Sequence, residues 1–447
     1  MNEIVEKYNF PTPRYTSYPP ANRFRNVLSD DDTLRWIVDS NECNPKHISI
    51  YVHIPFCEKL CHYCGCHAMF TKDEQAKADY MQALKKELDM LVAKLDKTRK
   101  VAQIHYGGGT PNFVDISHLK EINLNLFNAF ETVENPEISI ECNPSLIDKQ
   151  MVKDIVDAGF NRISLGIQDT DEAILTSVNR ALPSMPIGDI VELFREAKND
   201  MRINFDFIYG LPGQDVKHME DNVELIKMAK PDRIATFSYA HVPWIKPNQK
   251  AIEKLGLPDD ETKLSVFNFF SAAILDLGYE SVGFDHFVLP GDALFHAKQS
   301  GELHRNFQGY CTKHTTGQVY GIGVSSISQL ANVYIQNTKN TAEYIESINK
   351  DKFPVARVCY LTDDDKRVRS SIEDILCNYK TDISKYGGVM MIPHKTLFEE
   401  LIEDGVVEYD GVTVKVRQLF PGAARVTAST LDPYFNRETT NQHSKSI

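Results

Sequence analysis

Tyr51-Val-His-Ile-Pro-Phe-Cys57-Glu-Lys-Leu-Cys61-His-Tyr-Cys64-Gly-Cys66 places four of the chain's nine cysteines within ten residues, directly after an apolar run ending in Ile54-Pro55-Phe56. The spacing is C-x3-C-x2-C, with a fourth cysteine after one more residue. Side chains so spaced meet at one centre only if the loop wraps around it, and converging thiolates select soft metals, chiefly zinc or iron–sulfur clusters. A structural zinc site is the plainer reading of clustered cysteines. Closed zinc sites normally take two well-separated pairs, and no second C-x2-C or His-x3-His occurs elsewhere in the sequence. A [4Fe–4S] cube also usually takes four cysteines. Cys66 follows Cys64 too closely for both to reach one cube, which points to Cys57, Cys61 and Cys64 as ligands and to one open iron.

Outward from this loop, a strand–helix alternation runs from about 47 to 290. Segments rich in β-branched residues at 47–56, 101–107, 137–142, 162–167, 203–209 and 233–240 predict strands. Helical patterns separate them at 79–95, 116–130, 148–158, 171–198 (a pair) and 216–229. A helix after each strand favours an α/β fold with a parallel sheet, either open or closed into a barrel. The unusual residues fall at the strand ends: the cysteine loop, Gly107-Gly-Gly-Thr-Pro111, Glu141-Cys-Asn-Pro144, Gln168-Asp169, Asp206 before Tyr209-Gly-Leu-Pro212, and Ala240-His241. In parallel βα folds those ends share one face, where chemistry gathers.

The rest of the chain is read around this core. Residues 1–45 predict an extended arm, because Pro11, Pro13, Pro19 and Pro20 exclude a continuous helix. Its Tyr15 and Tyr18 are expected to pack against the main domain or to close over a site, and Arg14 is a candidate there. Residues 46–335 form the expected catalytic domain, in which the Gly-rich stretch 319–328 predicts a strand that a ligand can approach closely. Helices near 341–349, 363–377 and 392–403 and a hairpin turning on Asp410-Gly411 predict a smaller, mainly helical, winged-helix-like domain over 336–435. The polar tail 436–447 is expected to be disordered.

Composition narrows the function class. The chain has 447 residues, 42% apolar and 25% charged, as in water-soluble globular proteins. No apolar run of about 18 residues exists, so no membrane insertion is expected, and the first residues lack the pattern of a signal peptide. An odd number of mostly clustered cysteines argues against a disulfide framework and for the reducing cytoplasm. A net charge of −13 argues against nucleic acid as a partner. An anionic small molecule needs only a local cluster of cations.

An open iron can bind a ligand that carries both an amine and a carboxylate. S-adenosylmethionine (SAM) offers that pair, and SAM and iron–sulfur centres are among the cofactors of radical chemistry. Gly107, Gly108 and Gly109 let backbone groups approach the amino-acid end of such a ligand. Glu141 can accept from ribose hydroxyls, while Gln168, Arg180 and Asp206 can orient further polar groups. Tight turns, a strand-end cap or a surface ion pair are the bland alternatives for these residues. His53, on the first strand, is either a proton or hydrogen-bond partner at the mouth or a satisfied core histidine.

Tyr63 just before the third cysteine, together with the C-x3-C-x2-C spacing after a strand, resembles the signature of the radical SAM superfamily. Gly107-Gly-Gly-Thr-Pro111 resembles its second motif. Pro13-Arg-Tyr-Thr-Ser-Tyr-Pro19, Tyr51 to Cys57, Cys66, Tyr209-Gly-Leu-Pro212, Ala240-His241 and His304-Arg-Asn-Phe-Gln-Gly-Tyr310 together resemble the oxygen-independent coproporphyrinogen III oxidase (dehydrogenase) family, from about residue 5 to 435. The resemblance implies a partial parallel (β/α)6-type barrel with an arm and a smaller C-terminal domain. It implies a cytoplasmic, monomeric, anaerobic step of haem biosynthesis, in which two propionates of coproporphyrinogen III become vinyls. The radical doing so is 5′-deoxyadenosyl, formed by reductive cleavage of SAM at a [4Fe–4S] cluster, with two SAM used per turnover.

By matching position, the resemblance implies Cys57, Cys61 and Cys64 as cluster ligands and Cys66 as a family cysteine that is not one. Tyr51, Gly108, Gly109, Thr110, Glu141, Gln168, Arg180, Asp206 and Ala240 would surround the first SAM. Tyr63, Gln308 and Ile327 match positions lining a second. Candidates for catalysis or for substrate carboxylates are His53 and Arg14. Near the C-terminus the family's Gly, Arg-Asn-Ile and Asp are kept only as Gly422, Arg425 and Asp432, so closure of the site by this segment is open. A related haem-binding chaperone and a haem-opening radical SAM methyltransferase are the rival readings; the Tyr-Thr-Ser-Tyr-Pro arm and Cys66 favour the oxidase over the chaperone. A low-potential electron donor and an electron acceptor are required partners that the sequence does not identify.

Overall fold

In the computed structural model, which describes residues 3–27, 30–313, 318–437 and 443–446, the apolar run before the cysteines is strand Ile48–Ile54 (β1), buried along nearly its whole length. Val101–Gly108 (β2), Thr132–Cys142 (β3), Arg162–Gln168 (β4), Arg202–Tyr209 (β5) and Arg233–Ser238 (β6) follow. Each pairs in parallel with the next, so the six βα units curve as the expected partial barrel with their C-terminal ends on one face. Gln318–Ile322 (β7) adds a further parallel strand beside β1. Antiparallel strands extend both edges of this sheet. The Gly-rich stretch is two strands rather than one: β7 turns back through 323–326 into Ile327–Gln329.

The crossovers start where the sequence supplies an aspartate. Asp73, Asp115, Asp148, Asp171 and Asp215 each accept from backbone N–H groups in the first turn of the helix that follows β1 to β5. Such a cap contributes about 1 kcal/mol and fixes where each loop at the mouth ends.

Successive strand residues face opposite sides. Outward, Ile104, Ile140, Ile163, Leu165, Ile203 and Phe205 pack beneath the helices in the main core. Inward, polar side chains bond in layers. At the base, Glu137 accepts from Gln103 (2.8 Å), Arg162 (2.8 Å) and Arg233 (3.3 Å), and Arg233 also reaches Asp292 (2.8 Å). Above it, Ser139 meets His105 (2.6 Å) and Asn204 donates to Ser164 (2.7 Å). The top layer holds Glu141 and Asp206. Most polar groups of this interior are paired, since an unpaired buried one costs about 1–3 kcal/mol; the Gln103 and Asn204 amide oxygens are left without a partner.

The chain's two ends depart from the expected plan. The Pro-rich segment is non-helical, but the arm also forms helices Glu3–Tyr8 and Asp30–Asp39. Val5, Tyr8, Tyr15 and Tyr18 pack into the core of the smaller unit, with Ile375, Phe398, Leu401 and Phe420, and not against the barrel. The i, i+3 spacing of Val5 and Tyr8 is the helical signal that the prolines overshadow. The tail is ordered over 443–446: Thr12 donates its N–H to the Ser444 carbonyl (3.1 Å) and Ser446 donates to the Tyr8 carbonyl (2.8 Å). The rest of the tail's polar end, 438–442 and 447, lies outside the described residues.

The barrel's sheet also continues beyond 335. Val355–Tyr360 pairs with Val333–Asn337, and Tyr344 and Ile348 belong to the main core. The smaller unit therefore takes up only after Leu361, with helices Asp363–Asn378, Lys395–Glu403 and Ala423–Ser429 and a sheet ordered Lys380–Asp382, Thr413–Val416, Val407–Tyr409. Among the described residues no helix is long and apolar enough to cross a membrane.

One buried acid ties barrel, helix and sheet together. Glu87 accepts from the Gly323 N–H (2.7 Å), Asn337 (2.7 Å) and Tyr344 (2.6 Å). Burial outweighs these donors and pushes its carboxyl up to about 7 from an ordinary 4.5. The fold prefers the neutral form, so this contribution is complete below about pH 4.5 and is lost as pH rises to about 7, by about 3 kcal/mol. Urea midpoints of wild type and Glu87→Gln are expected to diverge between about pH 5 and pH 8, with the variant gaining on the wild type as pH rises. Parallel midpoints would rule out titration of Glu87 in this window.

Candidate active site

The cysteine loop leaves β1 through the short strand Phe56–Cys57, which pairs with Met69–Phe70 and so closes the loop at its neck. A turn from elsewhere holds its backbone. Asn248 donates to the carbonyls of Cys61 (3.2 Å), His62 (3.1 Å) and Cys64 (3.2 Å), and Gln249 donates to those of Tyr63 and Ala240 (both 3.1 Å). One amide thus links the loop to the end of β6. Cys57 and Cys61 are buried, Cys64 is half-buried and Cys66 is exposed. Thr110 donates to the Cys57 sulfur (3.3 Å), and an Arg180 Nη lies 3.9 Å from that of Cys61.

Burial pushes the Cys57 thiol up to about 11 despite the Thr110 bond, with the Cys64 and Cys61 thiols nearby adding to the rise. Such a thiol becomes a thiolate only when a metal supplies positive charge. The Cys66 thiol, hydrogen-bonded to Cys64, holds the latter below its ordinary value. Among the described residues no three His, Cys, Asp or Glu side chains gather tightly enough for a single ion, the arrangement a closed zinc tetrahedron asks for.

The glycine triplet is required by space. A Cβ on Gly107 would stand 2.7 Å from the Glu141 carboxylate, one on Gly108 2.6 Å from the His53 ring, and one on Gly109 2.7 Å from the Pro55 carbonyl. Gly108 also has φ +116°, where side chains are strained. The backbone of the second motif thereby lies flat against β1 and the cysteine loop.

Glu141 accepts from His105 Nε2 (3.0 Å) and the Gly108 N–H (3.3 Å), and its side chain remains 43% exposed to the mouth. Burial works to raise its carboxyl, but His105 and the Gly108 N–H together hold it below its ordinary value, ionised and able to accept more bonds. Tyr51 stacks on His105 with 6.0 Å between ring centroids. Asp206 accepts from Ser164 (2.6 Å) and Asn204 (2.9 Å); burial nonetheless raises its carboxyl. Gln168 ends β4 at φ +68°, rarely populated by a non-glycine residue. Its Oε1 is buried without a partner, while Arg180 donates to the Gly166 carbonyl (2.6 Å) beside it.

His53 is a satisfied histidine. Its Nε2 meets the His67 carbonyl (2.9 Å), so that nitrogen carries the proton and Nδ1 accepts from Tyr51 (3.1 Å). Burial lowers it to about 4, neutral at pH 7. Arg14 sits at the mouth, donating to the Ser238 carbonyl at the end of β6 (2.6 Å). Ile327 shares an apolar cluster with Phe307, next to Gln308, whereas Tyr63 packs in a separate one with Val178, Leu211 and Tyr239. Both amide atoms of Gln308 are buried without a partner.

The retained C-terminal residues grip the arm. Arg425 donates to the carbonyls of Thr12, Pro13 and Ser446, and Tyr15 donates to Asp432 (3.0 Å), pinning the arm across the mouth. The missing Asn-Ile is not needed for these bonds. Three residues of this site escaped the sequence reading. His105 had a signal, a polar residue two places from Gln103 inside an apolar strand. Asn248 and Gln249 lie in an irregular turn with no signal at all.

The profile of the radical SAM superfamily matches residues 51–226. An oxygen-independent coproporphyrinogen III oxidase of Synechocystis sp. is 36% identical over 415 residues, which cover 92% of this chain and 88% of that protein. The enzyme of the same name from Escherichia coli is 34% identical over 420 residues, covering 92% and 91%. The chain belongs to the oxygen-independent coproporphyrinogen III oxidase family. A solved structure of the Escherichia coli coproporphyrinogen III oxidase, described as a radical SAM enzyme, matches with a TM-score of 0.88 and 31% identity over 97% of this chain and 99% of that one. Likeness to this oxidase spans arm, barrel and smaller unit together.

The residues present fit the cofactors of a radical SAM oxidase. Soft donors sit in a loop whose backbone is fixed from outside, and glycines leave a flat wall beside it. Orphaned amide atoms of Gln168 and Gln308, together with the ionised Glu141, offer polar groups that a ligand would satisfy.

Proposed function

We propose that this oxidase converts two propionates of coproporphyrinogen III to vinyls, giving protoporphyrinogen IX without oxygen, as a step of haem biosynthesis. The observation that carries this reading is the meeting of the three-cysteine loop, the glycine wall and Glu141 at one barrel mouth, covered by the arm. When bound, a [4Fe–4S] cluster and SAM, two per turnover, supply the carbon-centred radical that removes hydrogen from the substrate's propionate side chain.

The chain's own residues do the rest. Cys57, Cys61 and Cys64 would hold the cluster and leave one iron for SAM. The backbone of Gly108 and Gly109 and the side chain of Thr110 would flank the amino-acid end of the first SAM. Glu141 would accept from its ribose, with Tyr51, Gln168, Arg180, Asp206 and Ala240 completing the wall. Gln308, Ile327 and Tyr63 would line the second. His53, neutral and bonded on both nitrogens, positions Tyr51. The arm excludes water and orients the substrate, which a reactive radical requires.

Glu141→Ala removes a hydrogen bond to a charged acceptor, worth about 1.5–3 kcal/mol. SAM affinity of the reconstituted enzyme, read by calorimetry, is expected to fall by about 10- to 100-fold. An unchanged affinity would withdraw Glu141 from SAM binding. The function itself is tested by anaerobic turnover of coproporphyrinogen III with dithionite and mass analysis of the porphyrins; absence of vinyl product would overturn it. The reading includes an unidentified electron donor and acceptor, a monomer, a cytoplasmic location, and no nucleic-acid partner. It also treats the barrel with its added strands as the catalytic unit and the smaller unit as its lid.

A further inference from the structure

Beside the mouth, three guanidinium groups converge on Asp285, and two of them, Arg14 and Arg425, line one small cavity. Arg14 comes from the arm, Arg305 from the hairpin strand Leu303–Asn306, and Arg425 from the buried helix Ala423–Ser429. Arg305 and Arg425 are 5% and 3% exposed. Arg425 spends its donors on main-chain carbonyls, which satisfy hydrogen bonds but not charge. Arg14 has a carbonyl for a partner, that of Ser238. Arg305 lies between the rings of Phe284 and Tyr310, at 4.5 and 4.6 Å, and its Nε and Nη1 are buried with no partner.

The anionic side of this chamber is thin. Asp285 is the carboxylate that the three guanidiniums face, and it is already engaged by His286 at 2.6 Å and Arg305 at 3.6 Å. Lys263, at the rim, donates to the Tyr239 carbonyl at 3.1 Å, and burial with the neighbouring Arg14 lowers its amine to about 7. Buried like charges of this kind persist only where a counter-charge arrives. Burial and the neighbouring Arg14 accordingly lower Arg425 to about 9. Between Arg14, Asp285 and Arg425 a cavity of about 20 Å³ remains, walled by Tyr209, Ser238 and Ser446. That is room for one water, or for one oxygen of an entering carboxylate.

We propose that Arg14, Arg305 and Arg425 form a carboxylate-binding subsite that takes a propionate of the substrate and so sets which side of the macrocycle faces the cysteine loop. The inference rests on the tetracarboxylate substrate proposed above. A guanidinium fork matches a carboxylate in two parallel hydrogen bonds; Arg14, on the arm and anchored at β6, lines the cavity, and Arg305 behind it keeps two unpartnered nitrogens.

The test is a fluorescence titration of the reconstituted enzyme with coproporphyrin III, the oxidised tetracarboxylate, and with its neutral tetraamide. Arg14→Gln is expected to weaken coproporphyrin III binding about 10- to 100-fold, with Arg14→Lys intermediate. The tetraamide should bind wild type and variants alike, and SAM affinity should stay unchanged throughout. Equal binding of coproporphyrin III by wild type and Arg14→Gln overturns the subsite while leaving the proposed reaction standing. A parallel loss of SAM affinity also overturns it, assigning the guanidiniums to the SAM carboxylate or to the fold. A wild type that neither binds coproporphyrin III nor converts its porphyrinogen overturns subsite and function together.

Discussion

Alanine at position 57, 61 or 64 is expected to abolish SAM cleavage, whereas Cys66→Ala keeps the cluster and its signal in electron paramagnetic resonance after reduction. The contrast follows from where the sulfurs sit. Cys57 and Cys61 are buried beneath the strand ends and Cys64 is half-buried beside them, while Cys66 is exposed. Removing any of the first three strips a ligand from a cube that these three thiolates would hold. Cys66 is hydrogen-bonded to Cys64, so its loss is expected to alter a neighbour and not the ligand set. Iron and sulfide content, the resonance signal and release of 5′-deoxyadenosine read all four variants in parallel. Loss of the signal in Cys66→Ala would overturn the assignment of three ligands.

Gly109→Ala is expected to be nearly as damaging, although it adds one methyl group. The new Cβ would meet Pro55 carbon and oxygen at 2.7 Å and the Phe56 oxygen at 2.8 Å. These are backbone atoms, which cannot rotate away. The same backbone pair accepts and donates the bonds that seat the cysteine loop, Gly109 N–H to the Ile54 carbonyl (2.7 Å) and Thr110 N–H to that of Phe56 (2.9 Å). Relief must therefore displace the neck of the loop and Cys57 with it. Overpacking of this kind costs about 1–3 kcal/mol, and one factor of ten accompanies each 1.4 kcal/mol or so. Cluster content and the SAM cleavage rate are expected to fall together by about tenfold or more. Gly188→Ala, on a helix with open space around it, is the silent control. A fully loaded, fully active Gly109→Ala enzyme would show that the loop tolerates a shift the geometry forbids.

Much of this was legible because local chemistry and global fold agree. β-branched runs became the barrel strands, often to within a residue or two, since the outward face of each strand must be apolar to pack beneath its helix. The cysteine loop and Gly107–Gly109 stood out because no ordinary structural need explains them together. What stayed hidden depends on distant partners. Asn248 is one more polar residue in a proline-containing turn until three carbonyls from the cysteine loop arrive at its amide. The arm's tyrosines gave no hint of which core would receive them, since Tyr15 and Asp432 are far apart in sequence and adjacent only when folded. Ser446 looked like part of a solvated tail, yet it is 3% exposed against Gly422 and Tyr8.

The layered interior of the barrel has a consequence for how this chain can change over generations. Its strands are written in two interleaved alphabets. Letters on the outer coat, such as Ile104, Ile140 and Ile163, can be exchanged among aliphatics of similar bulk for about 1.5 kcal/mol or less. Letters on the inner coat cannot drift singly: a leucine for Gln103 would leave Glu137 short of a donor, and a valine for Ser164 would cost Asn204 and Asp206 one bond each. Descendants of this enzyme are thus free to alter their exterior while the chemistry chamber passes down nearly verbatim.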